Sequence, residues 1–466
     1  MSTTRLVAKN TAIQIIGKGV STALGVAVIA LVTRALLPAG FGQYTKVITF
    51  LSFFGIVADL GLTLITAQMI SEHDADEARV VSSILSFRIV TAFALFAAAP
   101  AVAIFTPYAT IVKWGIALAA WSFFFVSLSQ TLVGIFQKHL VMQYPMIAEI
   151  AGRVVLLGVT IYAAWSGRNL LWFLGAVVAG NIVNFFVVQQ FARRFIVLRL
   201  AWDATVIREM WKRSVPIAIS IVFNLIYLKA DMLILSFVRP DVDVGLYGAA
   251  YRVIDILMMV PVMLMGVVLP IASGAWSNLD VERTRRVLQK IFDAFILYAV
   301  PIVGGGLTLA APVMTLAAGA QFSGASAPLR ILLIAFFCAT MSTLFGHFIV
   351  VLQKQRSVVW VYGSDAALSL AAYLILIPMF GMVAAAWSTV ASELYAAIIL
   401  GAIVIRTTQI RFNFSVVWRA LVSTSVMVGA VLVLASLDIP VVASVACGVV
   451  VYGVALFLLR VHRFFL

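Results

Sequence analysis

The chain has very little charge. Asp, Glu, Lys and Arg make up only 11% of its 466 residues, whereas hydrophobic residues make up 64%. Soluble domains average about 25% charged residues, so this composition excludes a soluble globular protein and predicts one that spans a bilayer. Cysteine is scarce as well. Cys338 and Cys447 both fall inside apolar runs, which excludes a disulfide framework.

The usual patterns of cofactor and metal chemistry are also missing. The stretch 17–19 (GKG) lacks the upstream glycine and the following Ser or Thr of a phosphate-binding loop. No residues with metal-ligand spacing occur. The longest loop on the outer side has about 15 residues, which is too short for a catalytic domain. We therefore expect no metal, no cofactor, no enzymatic activity and no direct use of ATP.

Apolar runs fill the rest of the chain. Runs near the roughly 20 residues that a transmembrane helix needs recur about fourteen times. The first run, 11–37, is too long for a signal-peptide core and has no cleavage site, so we expect it to remain as a span. The helix ends are least certain at 284–326, where glycine and proline interrupt the run. The predicted fold class is an all-α polytopic membrane protein with about 14 transmembrane helices.

One turn between apolar runs occurs twice, about 200 residues apart. A proline opens each copy, and glycine, one residue and then tyrosine close it: Pro38, Gly42 and Tyr44, then Pro240, Gly245 and Tyr247. The fourth and tenth spans also end alike, in Gln137-Lys138 and Gln353-Lys354. Two correspondences in the same order indicate an internal duplication.

The duplication predicts two six-helix lobes that run in parallel, because an even number of spans returns the chain to the side where it started. Such repeats are related by a pseudo-two-fold axis along the membrane normal. We predict an N-terminal lobe at 1–195, a cytoplasmic linker at 196–206, a second lobe at 207–410 and two additional helices at 411–466.

The net charge of +14 follows from the distribution of basic residues along the chain. Most Lys and Arg residues fall in alternate loops, which the positive-inside rule assigns to the cytoplasm. Both termini are then cytoplasmic, and no nucleic-acid partner is needed to explain the charge. The basic run 193–213 is either a topology determinant or a site for a lipid head group or partner. The two turns lie on the outer side, where we expect them to form an outer gate.

Many ionisable residues fall inside the apolar runs. Each costs about 3 kcal/mol near mid-bilayer even on lenient scales, so they predict a polar interior cavity. Lys18 and Arg88 have no opposite charge at helical-neighbour spacing, which favours an anionic ligand such as phosphate. The candidates for binding its head group are Lys18, Arg88, Arg153 and Arg252. The candidates for ion coupling or for lining the cavity are Asp59, Glu149, Asp255, Asp365 and Glu393.

Two pairs among these residues have a second interpretation. Glu149 and Arg153 are four residues apart, and Arg252 and Asp255 are three apart. Both spacings place the two side chains on one helix face. Each pair is therefore either a self-neutralising ion pair that lets its helix insert or a site where substrate or proton competes for one partner.

Four stretches resemble the polysaccharide flippases of the multidrug/oligosaccharidyl-lipid/polysaccharide exporter superfamily: 9–11 (KNT), 17–19 (GKG), 37–44 (LPAGFGQY) and 58–62 (ADLGL). The duplicated six-span halves with two extra spans agree with that family over the whole chain. The resemblance implies a transporter in the bacterial inner membrane. It would move undecaprenyl-pyrophosphate-linked oligosaccharide units outward for O-antigen or exopolysaccharide biosynthesis, by alternating access.

The resemblance also implies partners. A lipid-linked oligosaccharide is the expected substrate, a proton or sodium ion the coupling ion, and a polysaccharide polymerase with chain-length machinery the neighbouring proteins. Two alternatives stay open within the superfamily: a cation or drug antiporter, whose cavity should be acidic, and a peptidoglycan-precursor flippase. A membrane-bound sugar polymerase would need a large outer loop, which the sequence lacks.

Overall fold

Helices form nearly all of the described chain in this computed structural model. It describes residues 3–59, 61–72, 76–437 and 439–461, without the side chains of 3–12, 15, 216–217, 219–220, 224, 228 and 356–357. The helices are α1 (Thr3–Asp59), α2 (Leu62–Ile70), α3 (Glu77–Ile104), α4 (Thr110–Lys138), α5 (Gln143–Trp165), α6 (Leu170–Ala192), α7 (Ala204–Val238), α8 (Asp241–Ser277), α9 (Val281–Ala318), a 3-10 helix (Ala320–Ala325), α10 (Ser326–Val351), α11 (Gln355–Phe380), α12 (Met382–Thr408), α13 (Ser415–Ser436) and α14 (Val441–Leu458). The predicted all-α class is confirmed.

Twelve helices in the described ranges are long and apolar enough to cross a membrane, or thirteen if the bent pair Ile221–Tyr227 and Lys229–Val238 is one span. The sequence predicts about 14. The difference lies in the first candidate, Ile16–Ile70, whose 55 residues contain two of the predicted spans. Leu37 breaks α1 there, with φ 58° and ψ 175°, immediately before Pro38. The chain ends, 1–2 and 462–466, lie outside the described residues, and their cytoplasmic location stays a prediction.

The first compact unit covers Met1–Gly245 and includes α7. Its core is formed by apolar side chains of α2 to α7, among them the fully buried Ile84 of α3 and Phe136 of α4. The connection between α6 and α7 is held to α3 by two hydrogen bonds, from the backbone amides of Arg199 and Ala201 to the hydroxyls of Ser82 and Ser86. The lobe limits expected from the sequence stay a prediction.

The second compact unit covers Leu246–Leu466. Helices α8 to α12 contribute most of its core, with Phe295, Leu344 and Leu400 almost completely buried. The two additional helices join this unit through α9, because Leu309 of α9 clusters with Met427 and Val431 of α13.

The ambiguous stretch 284–326 is one long helix followed by a 3-10 turn. Helix α9 continues through Gly304 and Gly306 and ends at Ala318. A Cβ at Gly304 would lie 2.5 Å from Thr424 of α13, and one at Gly306 would lie 2.6 Å from Leu333 of α10. These glycines therefore allow close helix packing and do not end the helix.

The two repeated turns interlock within the first unit. A Cβ on Gly42 would lie 1.7 Å from the carbonyl oxygen of Asp241, and one on Gly245 would lie 2.0 Å from that of Pro38. Each carbonyl belongs to the residue four positions before the other glycine. Such a reciprocal contact is what two related surfaces make across a two-fold axis.

Polar contacts reinforce this junction. Lys46 Nζ lies 2.6 Å from Asp241 Oδ1, and Gln43 donates a hydrogen bond to the other carboxylate oxygen at 2.9 Å. Lys46 also donates to the carbonyl oxygen of Arg239 at 3.3 Å. Tyr44 is almost completely buried in the first unit, and Tyr247 is completely buried in the second. The close approach explains why glycine, and no larger residue, occupies both turn positions.

We expect Gly42→Ala and Gly245→Ala each to separate the two turns, because an added methyl would overlap a backbone carbonyl. Overpacking of this kind costs about 1–3 kcal/mol. The measurement is the apparent melting temperature of the purified protein in detergent, with Gly158→Ala as the control, since a Cβ at Gly158 meets nothing within 4 Å. If Gly42→Ala melts at the same temperature as the control, the two turns do not pack as closely as described.

Candidate functional site

Helices α1 and α5 of the first unit meet along a polar face. Lys18 Nζ lies 3.2 Å from Glu149 Oε1, and the Ser21 hydroxyl donates to the same oxygen at 2.6 Å. Farther along α1, a Cβ on Gly25 would lie 3.7 Å from Nη1 of Arg153. Positions 18 and 21 of α1 thus meet position 149 of α5, and position 25 meets position 153. Because both numbers rise together, the two helices run parallel here.

The contacts on this face correct the predicted partners of Lys18 and Glu149. The sequence treats Lys18 as unpaired and allows Glu149 to pair with Arg153 in the same helix. In the structure Glu149 pairs with Lys18, and Arg153 makes no ion pair within 4 Å among the described residues. Helical spacing finds partners only within one helix, and the carboxylate that neutralises Lys18 comes from another. The guanidinium available to an anion is therefore that of Arg153.

Arg88 of α3 also has a partner from another helix, so it is not the unpaired cation that the sequence suggests. Its Nη2 lies 2.6 Å from Asp59 Oδ1, and its Nε donates to the Ser127 hydroxyl of α4 at 2.7 Å. Arg88 is 0% exposed, and its Nη1 is buried without a hydrogen-bond partner. A head group cannot reach this guanidinium in the present conformation.

Asp59 is placed by a break in the second predicted span. Helix α1 ends at Asp59 and α2 begins at Leu62, with Gly61 between them at φ 82°. This left-handed conformation favours glycine. The Thr63 hydroxyl donates to Asp59 Oδ1 at 2.5 Å. The glycine of the 58–62 stretch thus makes the break that turns Asp59 toward Arg88, while Leu60 lies outside the described residues.

Two buried carboxylates meet in the second unit. Asp365 of α11 is 1% exposed, and Glu393 of α12 is 5% exposed. The Ser342 hydroxyl of α10 donates to Glu393 at 2.6 Å. Ser392, next to Glu393, donates to Asp365 at 2.9 Å, and Ser369 donates to it at 3.0 Å.

Neither carboxylate has a basic partner within 4 Å among the described residues. Serine hydroxyls can stabilise a carboxylate without neutralising it, so each group retains the capacity to take up a proton or a cation. The described side chains contain no group of three His, Cys, Asp or Glu residues that could hold a metal ion.

The remaining predicted pair is present in α8. Arg252 Nη1 lies 3.6 Å from Asp255 Oδ2, and both side chains are about two-fifths exposed, at 39% and 40%. The sequence did not identify the serine partners Ser127, Ser342 and Ser392. Serine is common in membrane helices, and nothing in the spacing of these three marks them. Ser369 could have been found, because it follows Asp365 by one helical turn.

Comparison with known proteins identifies the family. The family model described as polysaccharide biosynthesis protein matches residues 7–276, more than half of the chain. The curated proteins include no significant sequence match.

Solved structures with the same fold include an inward closed Lipid II flippase MurJ, at 14% identity and a TM-score of 0.78, with 96% of this chain and 98% of that chain covered. An inward-facing multidrug resistance MATE family transporter matches at 12% identity and a TM-score of 0.70, with 84% of this chain and 94% of that chain covered. A MOP superfamily transporter from Pyrococcus furiosus, with a binding pocket of reverse polarity, matches at 13% identity and a TM-score of 0.59, with 87% of this chain and 96% of that chain covered.

Identities this low establish the fold and leave the substrate open. The multi-pass architecture, the two-lobe fold and the family match agree with one another, and the relatives are transporters and flippases. The chain therefore belongs to the polysaccharide biosynthesis protein family and has the fold of the Lipid II flippase MurJ and of MATE family transporters.

Proposed function

We propose that the protein flips undecaprenyl-pyrophosphate-linked oligosaccharide units across the bacterial inner membrane for O-antigen or exopolysaccharide biosynthesis. The observation that carries the proposal is the α1–α5 face, where the Arg153 guanidinium lacks an ion pair among the described residues and lies near the Lys18–Glu149 pair. In this proposal both termini are cytoplasmic, and a polymerase with chain-length machinery receives the product.

The α1–α5 face suits a pyrophosphate. A guanidinium can donate two parallel hydrogen bonds to phosphate oxygens. The Lys18 side chain is 42% exposed, so a ligand can reach it. A pyrophosphate would compete with Glu149 for Lys18. Once Lys18 binds the pyrophosphate, Glu149 would keep its hydrogen bond from the Ser21 hydroxyl. The head group would thus be bound by Arg153 directly and by Lys18 after it leaves its carboxylate.

Arg88 and Arg252 fit other roles better. Arg88 is completely buried and contacts Asp59, which supports the proposal that it holds the break between α1 and α2 in place. Arg252 is accessible, and it stays in the proposal as a second cation for an acidic sugar, with Asp255 as its resting partner.

The buried carboxylates Asp365 and Glu393 are the proposed ion-coupling groups. An ionised carboxylate without a cation is costly in a low-dielectric interior. Uptake of a proton or sodium ion would remove that cost, so occupancy of this site would shift the balance between two conformations. The interlocked turns around Gly42 and Gly245 are the proposed outer gate, shut in this conformation.

A peptidoglycan-precursor flippase is the second candidate, favoured by the likeness to the Lipid II flippase along 96% of the chain. The cation antiporter is less favoured, because an uncompensated guanidinium on the α1–α5 face would repel an organic cation. Gel analysis of surface polysaccharide in a flippase-null strain expressing this chain tests the proposal. Restored polysaccharide supports it, and rescue of only a strain that lacks its peptidoglycan-precursor flippase would contradict it.

Arg153→Ala should lower polysaccharide export by about tenfold or more, since a charge-assisted hydrogen bond contributes about 1.5–3 kcal/mol. Arg153→Lys should retain part of the activity, because it keeps the charge and loses the paired donors. Export is measured by quantitative immunoblot of surface polysaccharide, normalised to protein level. Arg168→Ala, which removes an exposed arginine stacked on Trp172, is the control. Wild-type export by Arg153→Ala would rule out the anion site.

Asp59→Asn should destabilise the protein by about 3 kcal/mol or more, because it leaves a buried guanidinium without its counter-charge. The double variant Asp59→Asn/Arg88→Met should recover much of that loss, since it removes both charges. The melting temperatures of the two purified variants provide the comparison. A double variant less stable than Asp59→Asn would contradict the role assigned to Arg88.

Asp365→Asn and Glu393→Gln should make transport insensitive to proton and sodium gradients. Folding should persist, since an amide oxygen can accept the serine hydrogen bonds as the carboxylates do. Flux in proteoliposomes with imposed ion gradients is the measurement. The control is Glu282→Gln, which changes a 72% exposed carboxylate. An unchanged gradient response in both variants would exclude these groups from coupling.

A further inference from the structure

An apolar cavity of about 510 Å³ lies in the first unit between α3 and α7, next to the α1–α2 break. Its walls are formed mainly by Phe87, Thr91 and Leu95 of α3 and by Val215, Ala218 and Val222 of α7. The substrate site proposed above does not use it. It begins near Trp211, inside the basic run 193–213, for which the sequence left a lipid head-group site open.

One stripe of α7 leads into this cavity. Arg208, Trp211, Val215, Ala218 and Val222 follow one another at steps of three and four residues, so they lie on a single helix face. From Trp211 to Val222 the stripe extends about 17 Å at 1.5 Å per residue. Half of a bilayer's hydrocarbon core is about 15 Å thick. The cavity is therefore long enough for one lipid chain of one leaflet.

The charge at the entrance is positive. Arg208 and Lys212 are exposed and make no ion pair within 4 Å among the described residues. Their basic neighbours are already neutralised: Arg79 pairs with Asp203 at 2.5 Å, and Arg213 pairs with Glu72 and Glu209. Hydrogen bonds from Thr205 and Arg79 hold the pKa of Asp203 below its usual range, so this carboxylate stays charged. Arg208 and Lys212 thus provide two cations for an anionic head group.

An aromatic layer follows the cations. The rings of Trp202 and Trp211 lie 6.1 and 6.2 Å from that of Phe87. Trp202 and Trp211 are 61% and 51% exposed. Tryptophan concentrates at the level of lipid head groups, which places the cavity entrance at the membrane interface.

A single hydroxyl completes the arrangement. Ser214 is 2% exposed and lines the cavity wall, and its Oγ has no hydrogen-bond partner. A buried hydroxyl without a partner costs about 1–3 kcal/mol by mutational data, so a hydrogen-bond acceptor brought by an occupant of the cavity would stabilise it. A prenyl chain offers no acceptor at this depth, whereas an acyl chain begins with an ester carbonyl.

We propose that this cavity binds one acyl chain of an anionic glycerophospholipid. The order along α7 matches the order of groups in such a lipid: Arg208 and Lys212 at the phosphate, Trp211 at the interface, Ser214 at the ester carbonyl, and Val215, Ala218 and Val222 along the chain. The lipid would occupy the space between α3 and α7 and support the packing of α7 in the first unit. This site is independent of the substrate proposed above.

Native mass spectrometry of the full-length protein in detergent tests the site with phosphatidylglycerol and phosphatidylcholine of identical acyl chains. We expect one phosphatidylglycerol to bind at least about 30-fold more tightly than phosphatidylcholine, given two cations near the head group. Arg208→Ala/Lys212→Ala should abolish that preference. The matched control Arg286→Ala/Lys290→Ala removes an exposed pair with the same spacing from the start of α9 and should retain it. Equal affinity for the two lipids, or equal loss in both double variants, would overturn the proposal.

Two further variants test the chain and the ester. Ala218→Phe fills the cavity and should prevent phosphatidylglycerol binding while the protein remains monodisperse with an unchanged helix content. Ser214→Ala should lower affinity for ester-linked phosphatidylglycerol by about fivefold and leave the ether-linked analogue unaffected, since the ether lacks the carbonyl. Retained binding in Ala218→Phe would contradict the cavity, and an equal effect on both linkages would contradict the ester contact. Displacement of the lipid by equimolar undecaprenyl phosphate would show that the site holds a prenyl chain instead.

Discussion

The contact between Arg88 and Asp59 is the interaction on which the first unit depends most. A guanidinium that is 0% exposed is tolerable in an apolar environment only with a counter-charge and hydrogen-bond acceptors around it. Asp59 provides the charge from the end of α1, and Ser127 of α4 provides an acceptor. Two elements, α1 and α4, are thereby fixed to one side chain of α3. The glycine after the break makes this possible, since Gly61 lets α1 end where the carboxylate is needed.

The two units handle buried charge in opposite ways. In the first unit, carboxylates from neighbouring helices neutralise Lys18 and Arg88, and Arg153 remains without an ion pair among the described residues. In the second unit, serine hydroxyls surround Asp365 and Glu393, and the described side chains place no base within 4 Å of them. One arrangement retains a positive group suited to an anion, and the other retains negative groups suited to a proton or a metal cation. The proposed transport of an anionic lipid, driven by an ion gradient, would use both.

Hydropathy and repeats predict the fold well. The spans follow from the apolar runs, because a helix must be about 20 residues long to cross the bilayer. The turns at Gly42 and Gly245 follow from the duplication, and the structure brings them into contact. The run at 284–326 could not be assigned, since glycine ends some helices and allows others to pack closely. Gly304 and Gly306 allow close packing. This is visible only in the structure, where Thr424 and Leu333 lie next to them.

The candidate site could be predicted only in part. The sequence identifies which charges are embedded, because any ionisable residue in an apolar run stands out. It does not identify their partners, since helical spacing relates residues of one helix and says nothing about residues of its neighbours. Lys18 therefore looked unpaired, whereas Glu149 was open to pairing with Arg153, and the structure pairs Glu149 with Lys18 instead. The same limit hid the cavity between α3 and α7, although the basic run beside it was visible in the sequence.

The central claim is that this transporter moves an anionic, pyrophosphate-linked lipid. The most direct measurement is translocation by the purified protein in proteoliposomes, with undecaprenyl-pyrophosphate-linked oligosaccharide, Lipid II and an organic cation offered separately. We predict translocation of the linked oligosaccharide that exceeds protein-free liposomes and responds to an imposed ion gradient. Translocation of the organic cation, with the linked oligosaccharide no faster than in protein-free liposomes, would contradict it.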